Sequence, residues 1–160
     1  MAKTVIFFGS TTGTCEDIAN RIAAKNGADV KNASELTAES VADYDVLLLG
    51  SSTWGAGELQ DDWFGPCEVL KGLNLSGKTV ALFAVGDYSA YGDTFCGALA
   101  PLYEAVKNTG AKIVGQVSTD GYTFDASEAV VNEEFLGLAL DESNEPEKTD
   151  ARIAAWLASF

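Results

Sequence analysis

A short polar segment near the start of the chain has the residue types best suited to chemistry. It follows an apolar run and leads directly into a helical pattern, and it consists of Ser10, Thr11, Thr12, Gly13, Thr14 and Cys15. A turn from strand to helix directs backbone N–H groups and the positive end of the helix dipole outward, and short hydroxyl side chains add donors. Such a segment could bind a phosphate group. The same residue types also form ordinary turns and N-caps, and the segment alone supports both interpretations equally.

The segment contains no lysine or arginine. A nucleoside triphosphate loop requires Gly-Lys-Ser/Thr, and a dinucleotide fingerprint requires Gly-x-Gly-x-x-Gly, but neither pattern is present. The sequence therefore predicts a single terminal phosphate held by neutral donors.

Two further loops each supply a large aromatic side chain. The first, from Gly50 to Asp61, carries Trp54, and the second, from Gly86 to Asp93, carries Tyr91. Two aromatic side chains on glycine-flanked loops favour a flat ligand held between rings, although a single loop aromatic is more often only an anchor. Together with the phosphate segment, they predict flavin mononucleotide (FMN) as the cofactor and no metal.

Alternating strand and helix patterns bring these loops together. Strands are predicted at residues 4–8, 46–49, 79–85 and 112–117, with a weaker one at 28–31. Helical faces precede Gly27 and Gly110 as candidate caps, and Thr149 is the candidate N-cap of a last helix. Continuous apolar strands alternating with helices indicate an α/β doubly wound parallel sheet with helices on both faces. All three loops then lie beyond the carboxyl ends of the strands, where ligands bind in such sheets.

Length and residue usage limit the classes of protein further. The chain has 160 residues, of which 47% are hydrophobic, and this predicts one domain over residues 1–160. It has no histidine, which excludes histidine-based triads and histidine metal ligands. Its three cysteines are far apart and odd in number, so we expect free thiols. With no apolar run long enough for a membrane span and no signal peptide pattern, the expected compartment is the cytoplasm.

The chain is strongly acidic, with a formal net charge of −14. This charge disfavours nucleic acid and anionic membranes as partners and favours a protein with a basic surface. An ordinary solubilising surface would also account for the charge.

Several motifs together resemble the flavodoxin family over essentially the whole chain. They are Gly-Ser-Thr-Thr-Gly-Thr at 9–14, Thr-Trp-Gly-Ala-Gly-Glu-Leu-Gln at 53–60, and Gly86-Asp87 with Tyr91, Asp93 and Phe95. The C-terminal third is the most specific: residues 121–124, 135–141 and 149–153 resemble the insertion and final helix of the long-chain subgroup.

The resemblance implies a five-stranded sheet of order 2-1-3-4-5 with a long insertion interrupting strand 5, and FMN bound tightly without a covalent bond. It implies that residues 10–15 hold the phosphate, that Trp54 and Tyr91 stack on the ring faces, and that backbone at 53–57 and 85–87 contacts the ring edges. Asp141 is a weaker candidate for a ribityl contact. The remaining candidate cofactor-binding residues are Ser52, Thr53, Gly55, Ala56, Gly57, Val85, Gly86, Asp87 and Asp93.

Two positions depart from the family pattern. Cys15 stands where most relatives have threonine or serine, and a thiol is a weak donor. Loss of one hydrogen bond to a charged group costs about 1.5 to 3 kcal/mol, so we expect slightly weaker phosphate binding. The Gly65-Pro66 pair puts in doubt the helix that usually follows the tryptophan loop, and Pro101 makes another helix start uncertain.

The resemblance further implies an electron-transfer protein rather than an enzyme: a low-potential one-electron carrier using the semiquinone/hydroquinone couple of FMN. The Gly55-Ala56 peptide is the expected control point for the first electron, and surrounding acids oppose the second. Expected partners of a monomer are redox proteins with basic surfaces, such as an NADP-linked reductase or low-potential oxidoreductases. A flavin-dependent quinone reductase is the alternative, but it needs an open ring face. A phosphoacceptor receiver domain would need acidic residues where Gly9-Ser10 and Gly50-Ser51 stand.

Overall fold

A computed structural model of the chain describes residues 3–9, 13–54, 58–59, 63–87, 95–119, 122, 124, 127, 129–142 and 144–159. For residues 52–54, 58, 59 and 64 it describes the backbone only.

A parallel sheet forms the centre of the molecule. Its main strands are β1 (Thr4–Gly9), β2 (Asp29–Asn32), β3 (Val46–Trp54), β5 (Thr79–Val85), β6 (Lys112–Val114) and β10 (Leu138–Leu140). β1 lies between β2 and β3, and β3 pairs on its other side with β5. β6 pairs with the first residues of β5 and β10 with the last, so they are two halves of one fifth strand. The predicted order 2-1-3-4-5 is confirmed.

An insertion between β6 and β10 divides this fifth strand, as predicted. It forms a small antiparallel sheet from β7 (Val117–Ser118), β8 (Val130–Val131) and β9 (Glu134–Phe135). The prediction of one strand over 112–117 is wrong at its end: the chain turns at Gly115, which has a φ of 80°, and Val117 pairs with Phe135. The Tyr122 hydroxyl donates to the Ala139 carbonyl at 2.7 Å, which ties the insertion to β10.

Helices cover both faces of the sheet, as predicted. They are α1 (Thr14–Asn26), α2 (Ala38–Ala42), α3 (Phe64–Lys71), α4 (Leu99–Val106) and α5 (Thr149–Ala158). α1 and α5 pack on one face, and α3 and α4 pack on the other.

The alternating direction of strand side chains supplies both faces with apolar residues. In β1, Val5 and Phe7 belong to the cluster under α3 and α4, whereas Ile6 and Phe8 belong to the cluster under α1 and α5. Three of these four side chains are fully buried and Phe8 is 6% exposed. Complete burial of such a side chain contributes about 1.5–3 kcal/mol, which explains why this continuous apolar run forms a central strand.

The helix ends test the predicted caps. Gly27 caps α1 with a φ of 73° and donates to the Ala23 carbonyl, as predicted. Gly110 does not cap α4, which ends at Val106 with Lys107 as its C-cap. Thr149 is the first residue of α5 rather than its N-cap, because a 3-10 turn at Pro146–Lys148 precedes it. α3 does form despite Pro66, which lies in its first turn, where a missing N–H is tolerated.

Candidate functional site

The candidate site lies at the carboxyl edge of the sheet, between β1 and β3. The chain leaves β1 towards the α1 face, whereas after β3 and the short β4 (Glu58–Leu59) it continues into α3 on the opposite face. Connections that diverge to opposite faces open a crevice at the strand ends, a rule of which flavodoxins are a standard example.

The amino terminus of α1 points towards this crevice. Gly13, the N-cap, has a left-handed conformation with a φ of 88° and a ψ of −6°. An L-residue at this φ would be strained, so the turn from β1 into α1 favours glycine. The 13-residue helix directs the positive end of its dipole to this edge. Ser10, Thr11 and Thr12 lie outside the described residues.

Cys15 faces inward. Its side chain is fully buried in the apolar cluster under α1. Burial raises the pKa of the thiol well above its usual value, while a hydrogen bond with the backbone of Gly9 partly opposes that shift in pKa. In this structure a ligand at residues 10–15 would meet Cys15 through the backbone N–H and not through the thiol.

β3 extends further into the site than the sequence predicts. The prediction of a loop from Gly50 is wrong, because β3 continues to Trp54. Its last residues pair antiparallel with β4, Thr53 with Leu59 and Trp54 with Glu58. The side chains of Ser52, Thr53 and Trp54 are not described, and the connecting residues Gly55, Ala56 and Gly57 lie outside the described residues, as do Tyr91 and Asp93.

The end of β5 lies against β10 and the segment that precedes α4. The Gly86 N–H donates to the Leu140 carbonyl at 2.8 Å. A Cβ at Gly86 would lie 2.9 Å from the backbone nitrogen of Cys96, so this close approach requires glycine. Val85, Gly86 and Asp87, all predicted site residues, therefore occupy a tightly packed strand end at the same edge as Gly13.

A side-chain network that sequence reasoning missed joins two predicted residues. The Asn144 side-chain nitrogen donates to Asp87 Oδ1 at 2.6 Å and to Asp141 Oδ2 at 2.9 Å. The Asn144 backbone N–H donates to Asp141 Oδ1 at 2.8 Å. The Asp-x-x-Asn spacing is typical of such a turn and could have drawn attention to Asn144, but it gives no sign of the contact with Asp87.

An ion-pair cluster supports the same turn. The buried Glu145 carboxylate accepts from Lys148 at 2.7 Å and from Arg152 at 3.2 Å. The Lys148 hydrogen bond, helped by the charge of Arg152, lowers the pKa of Glu145 although desolvation opposes the shift. The Arg152 guanidinium also lies 3.9 Å from the centre of the Tyr122 ring, which connects the turn to the insertion.

The donor set in the described part of the site fits FMN. A helix amino terminus with neutral donors fits a phosphate monoester, and strand-end backbone at 85–87 fits the polar edge of a flavin ring. In the described part of the chain, no cluster of three or more histidine, cysteine, aspartate or glutamate side chains could hold a metal ion. No helix among the described residues is long and apolar enough to span a membrane.

Comparison with known proteins identifies the family. The Flavodoxin family profile matches residues 6–156. The chain is 42% identical to a flavodoxin of Picosynechococcus sp., covering all of this chain and 96% of that protein, and 42% identical to flavodoxin 1 of Azotobacter vinelandii, covering 99% and 95%. A crystal structure of Fusobacterium nucleatum flavodoxin bound to flavin mononucleotide superposes with a TM-score of 0.91 at 32% identity, covering 99% of this chain and 96% of that one.

These similarities extend over the whole chain and agree with the sheet order and the strand-5 insertion described above. They confirm the predicted class of function, which is electron transfer to redox partners by a flavin-based carrier rather than catalysis. The insertion between β6 and β10 agrees with the long-chain subgroup. The chain belongs to the flavodoxin family.

Proposed function

We propose that the chain binds FMN at the carboxyl edge of its sheet and carries single electrons at low potential between redox proteins. The observation that carries this proposal is the amino terminus of α1 at the β1–β3 crevice, with left-handed Gly13 as its N-cap. The FMN-bound Fusobacterium nucleatum relative supports the choice of cofactor. When bound, FMN supplies a ring that exchanges electrons one at a time.

Each predicted group of residues has a proposed task. Residues 10–15 hold the phosphate through neutral donors and the helix dipole. Backbone at 52–57 and 85–87 orients the ring edges, while Trp54 and Tyr91 cover the ring faces and keep water from them. Asp141 borders the ribityl side of the site, and Asp93 is a further proposed cofactor-binding residue.

Negative charge beside the site lowers the reduction potential for the second electron. Asp87 and Asp141 lie at the strand ends next to it, and the whole chain carries a net charge of −14. Negative carboxylates disfavour adding an electron to a group that becomes an anion, so they make the second reduction step harder and the reduced protein a stronger donor.

The partners, organisation and compartment follow from charge and residue usage. The acidic surface favours transient encounter with basic redox proteins, of which an NADP-linked reductase and low-potential oxidoreductases are the proposed kinds. The proposed unit is one domain over residues 1–160 acting as a monomer. Its three buried free cysteines suit a reducing compartment, and we assign the protein to the cytoplasm.

Flavin titration of the apoprotein tests the proposal. FMN and riboflavin are titrated separately, and flavin fluorescence quenching gives each Kd. Because a phosphate held by two charge-assisted hydrogen bonds gains about 3–6 kcal/mol, FMN should bind at least about 100-fold more tightly than riboflavin. Equal affinities would contradict the phosphate assignment, and no binding of either flavin would contradict the proposed function.

A further inference from the structure

We propose that Asn144 is a positioning residue of the flavin site: its side-chain amide links the carboxylates of Asp87 and Asp141 and thereby fixes the Gly86-Asp87 peptide. The inference rests on the proposed function, because the peptide that Asn144 holds is part of the proposed FMN site.

The geometry of the amide defines its orientation. A primary amide nitrogen has two hydrogens, and here one is directed to Asp87 Oδ1 at 2.6 Å and the other to Asp141 Oδ2 at 2.9 Å. Carboxylates accept hydrogen bonds, so only the nitrogen side of the Asn144 amide can serve both partners. Both donors are used, and the side chain has one orientation that satisfies them.

Asp141 is the fixed end of this link. It directly follows β10, it is fully buried, and its carbonyl accepts from the Glu145 N–H at 3.0 Å. Its carboxylate holds Asn144 twice, through the backbone N–H and through the side-chain amide. A residue held at two points on its own turn is pre-organised to contact a third group, which is Asp87 on the loop after β5.

The backbone of Gly86 is already hydrogen-bonded to β10, and Asn144 adds a restraint at the next residue, Asp87. The Gly86 N–H bonds to Leu140, and the Cys96 thiol contacts the carbonyls of Ala84 and Leu140 at 3.6 Å each. These contacts hold the backbone up to residue 86. The Asn144 bond then orients the Asp87 side chain, and with both ends restrained the peptide between residues 86 and 87 has little freedom.

Removal of the amide should have a larger effect than the loss of an ordinary surface hydrogen bond. The carboxylates of Asp87 and Asp141 would lose the nitrogen that they share, although Asp141 would keep its hydrogen bond from the backbone N–H of residue 144. Like charges at short distance repel, and the loss of a hydrogen bond to a charged group is costly. We expect Asp87 to turn away and the 86–87 peptide to lose its orientation.

Hydrogen exchange in the flavin-free protein tests the structural half of the inference. In Asn144→Ala, the Asp87 amide, whose N–H belongs to the 86–87 peptide, should exchange at least about tenfold faster than in the unsubstituted protein, while amides of β1 keep their rates. Asn74→Ala is the matched control, since Asn74 accepts one local hydrogen bond from the Ser76 N–H at 3.0 Å before β5, at the opposite edge of the sheet. An unchanged exchange rate of the Asp87 amide, or an equal acceleration throughout the chain, would overturn the inference.

A double-mutant cycle tests the functional half. Asn144→Ala should raise the Kd for FMN about tenfold or more, and Asp87→Ala should also raise it. If Asn144 acts through Asp87, adding Asn144→Ala to Asp87→Ala should change the Kd by less than twofold. Fully additive effects would overturn the inference. Asn144→Asp, which keeps the shape but replaces the donor with an acceptor, should weaken FMN binding at least as much as Asn144→Ala and serves if the alanine variant does not fold.

The two readouts separate this inference from the proposed function. If the unsubstituted protein does not bind FMN, the proposed function fails, yet exchange of the Asp87 amide still reports whether Asn144 fixes the peptide. If FMN binds tightly and Asn144→Ala changes neither exchange nor Kd, the inference alone fails.

Discussion

The two sides of the candidate site are built from different parts of the chain. On the β1–α1 side the described features are backbone features, namely a left-handed Gly13 and the amino terminus of α1, with the side chain of Cys15 facing inward. On the β5–β10 side they are side-chain features, namely the carboxylates of Asp87 and Asp141 with Asn144 between them. The first side depends on backbone conformation, and the second depends on the chemical identity of its side chains.

This difference separates two properties of the proposed carrier. Changes in backbone conformation near Gly13 should act on phosphate binding, whereas charge changes near Asp87 should act on reduction potential. Affinity and potential should therefore respond to different substitutions.

The largest effect is expected at Gly13. An alanine Cβ there would touch no atom of the described residues within 4 Å, so among them Gly13→Ala introduces only the cost of a φ of 88°, about 1–2 kcal/mol. We expect FMN binding to weaken about tenfold. Gly77→Ala is the matched control, with a φ of 86°, equally open space and a position at the opposite edge of the sheet. Urea unfolding should show similar stability losses in both variants. Equal effects of the two variants on the Kd for FMN would mean that the turn at Gly13 has no special role in phosphate binding, which would contradict the proposed difference between the two sides of the site.

The next effect concerns potential on the other side. Asp87→Asn removes a charge but keeps an acceptor oxygen for Asn144, so FMN affinity should change little. The second one-electron midpoint potential should rise by several tens of mV, because a nearby charge at intermediate dielectric contributes on the order of 1 kcal/mol.

Glu39→Gln is the control for this charge change. Glu39 is exposed on α2. The last carbonyl of α2 accepts a hydrogen bond from Lys78, which directly precedes β5, so α2 lies near the amino-terminal edge of the sheet. Spectroelectrochemistry of the FMN-loaded variants measures both couples. A shift of the same size in the control would mean that net charge, and not position, sets the potential.

A smaller effect is expected on pH dependence. The pKa of Glu145 is lowered from its ordinary value of 4.5, so its ion pairs stabilise the fold above that pH and lose their contribution as the pH falls through the lowered pKa. In Glu145→Gln, the free energy of unfolding should fall less steeply as the pH is lowered below about 5. Urea unfolding at several pH values measures this. An identical pH profile in the variant would show that Glu145 contributes nothing to acid sensitivity.

The smallest effect on cofactor binding is expected at Cys15. Cys15→Thr places a hydroxyl in a fully buried apolar position and should lower the free energy of unfolding by about 1–3 kcal/mol. Its Kd for FMN should stay within about threefold. FMN binding that becomes tenfold tighter would instead mean that this side chain faces the phosphate, as the position of Cys15 in the phosphate segment predicts.

The sequence predicts best where one local pattern determines the structure. β5 was predicted at its observed bounds, because its apolar run is buried on both faces between β3 and the fifth strand. β3 was predicted five residues short, because Gly50, Ser51 and Ser52 resemble a loop. Pairing with β1, β5 and β4 keeps these residues extended, and none of those partners is visible in the local sequence.

The same distinction applies to the site. The turn into α1 was predictable, since strand, small residues and helix follow each other directly. Asn144 was not, because its partner Asp87 lies 57 positions away and only the adjacency of β5 and β10 brings them together. The position of Thr149 was missed because a preceding 3-10 turn begins the helical conformation earlier.

Anaerobic reductive titration of the FMN-loaded protein, followed by visible spectroscopy, tests the central claim most directly. A low-potential one-electron carrier should take up its two electrons in two resolved steps, the second at a much more negative potential than the first. Uptake of both electrons in a single step would contradict the account and favour a two-electron reductase.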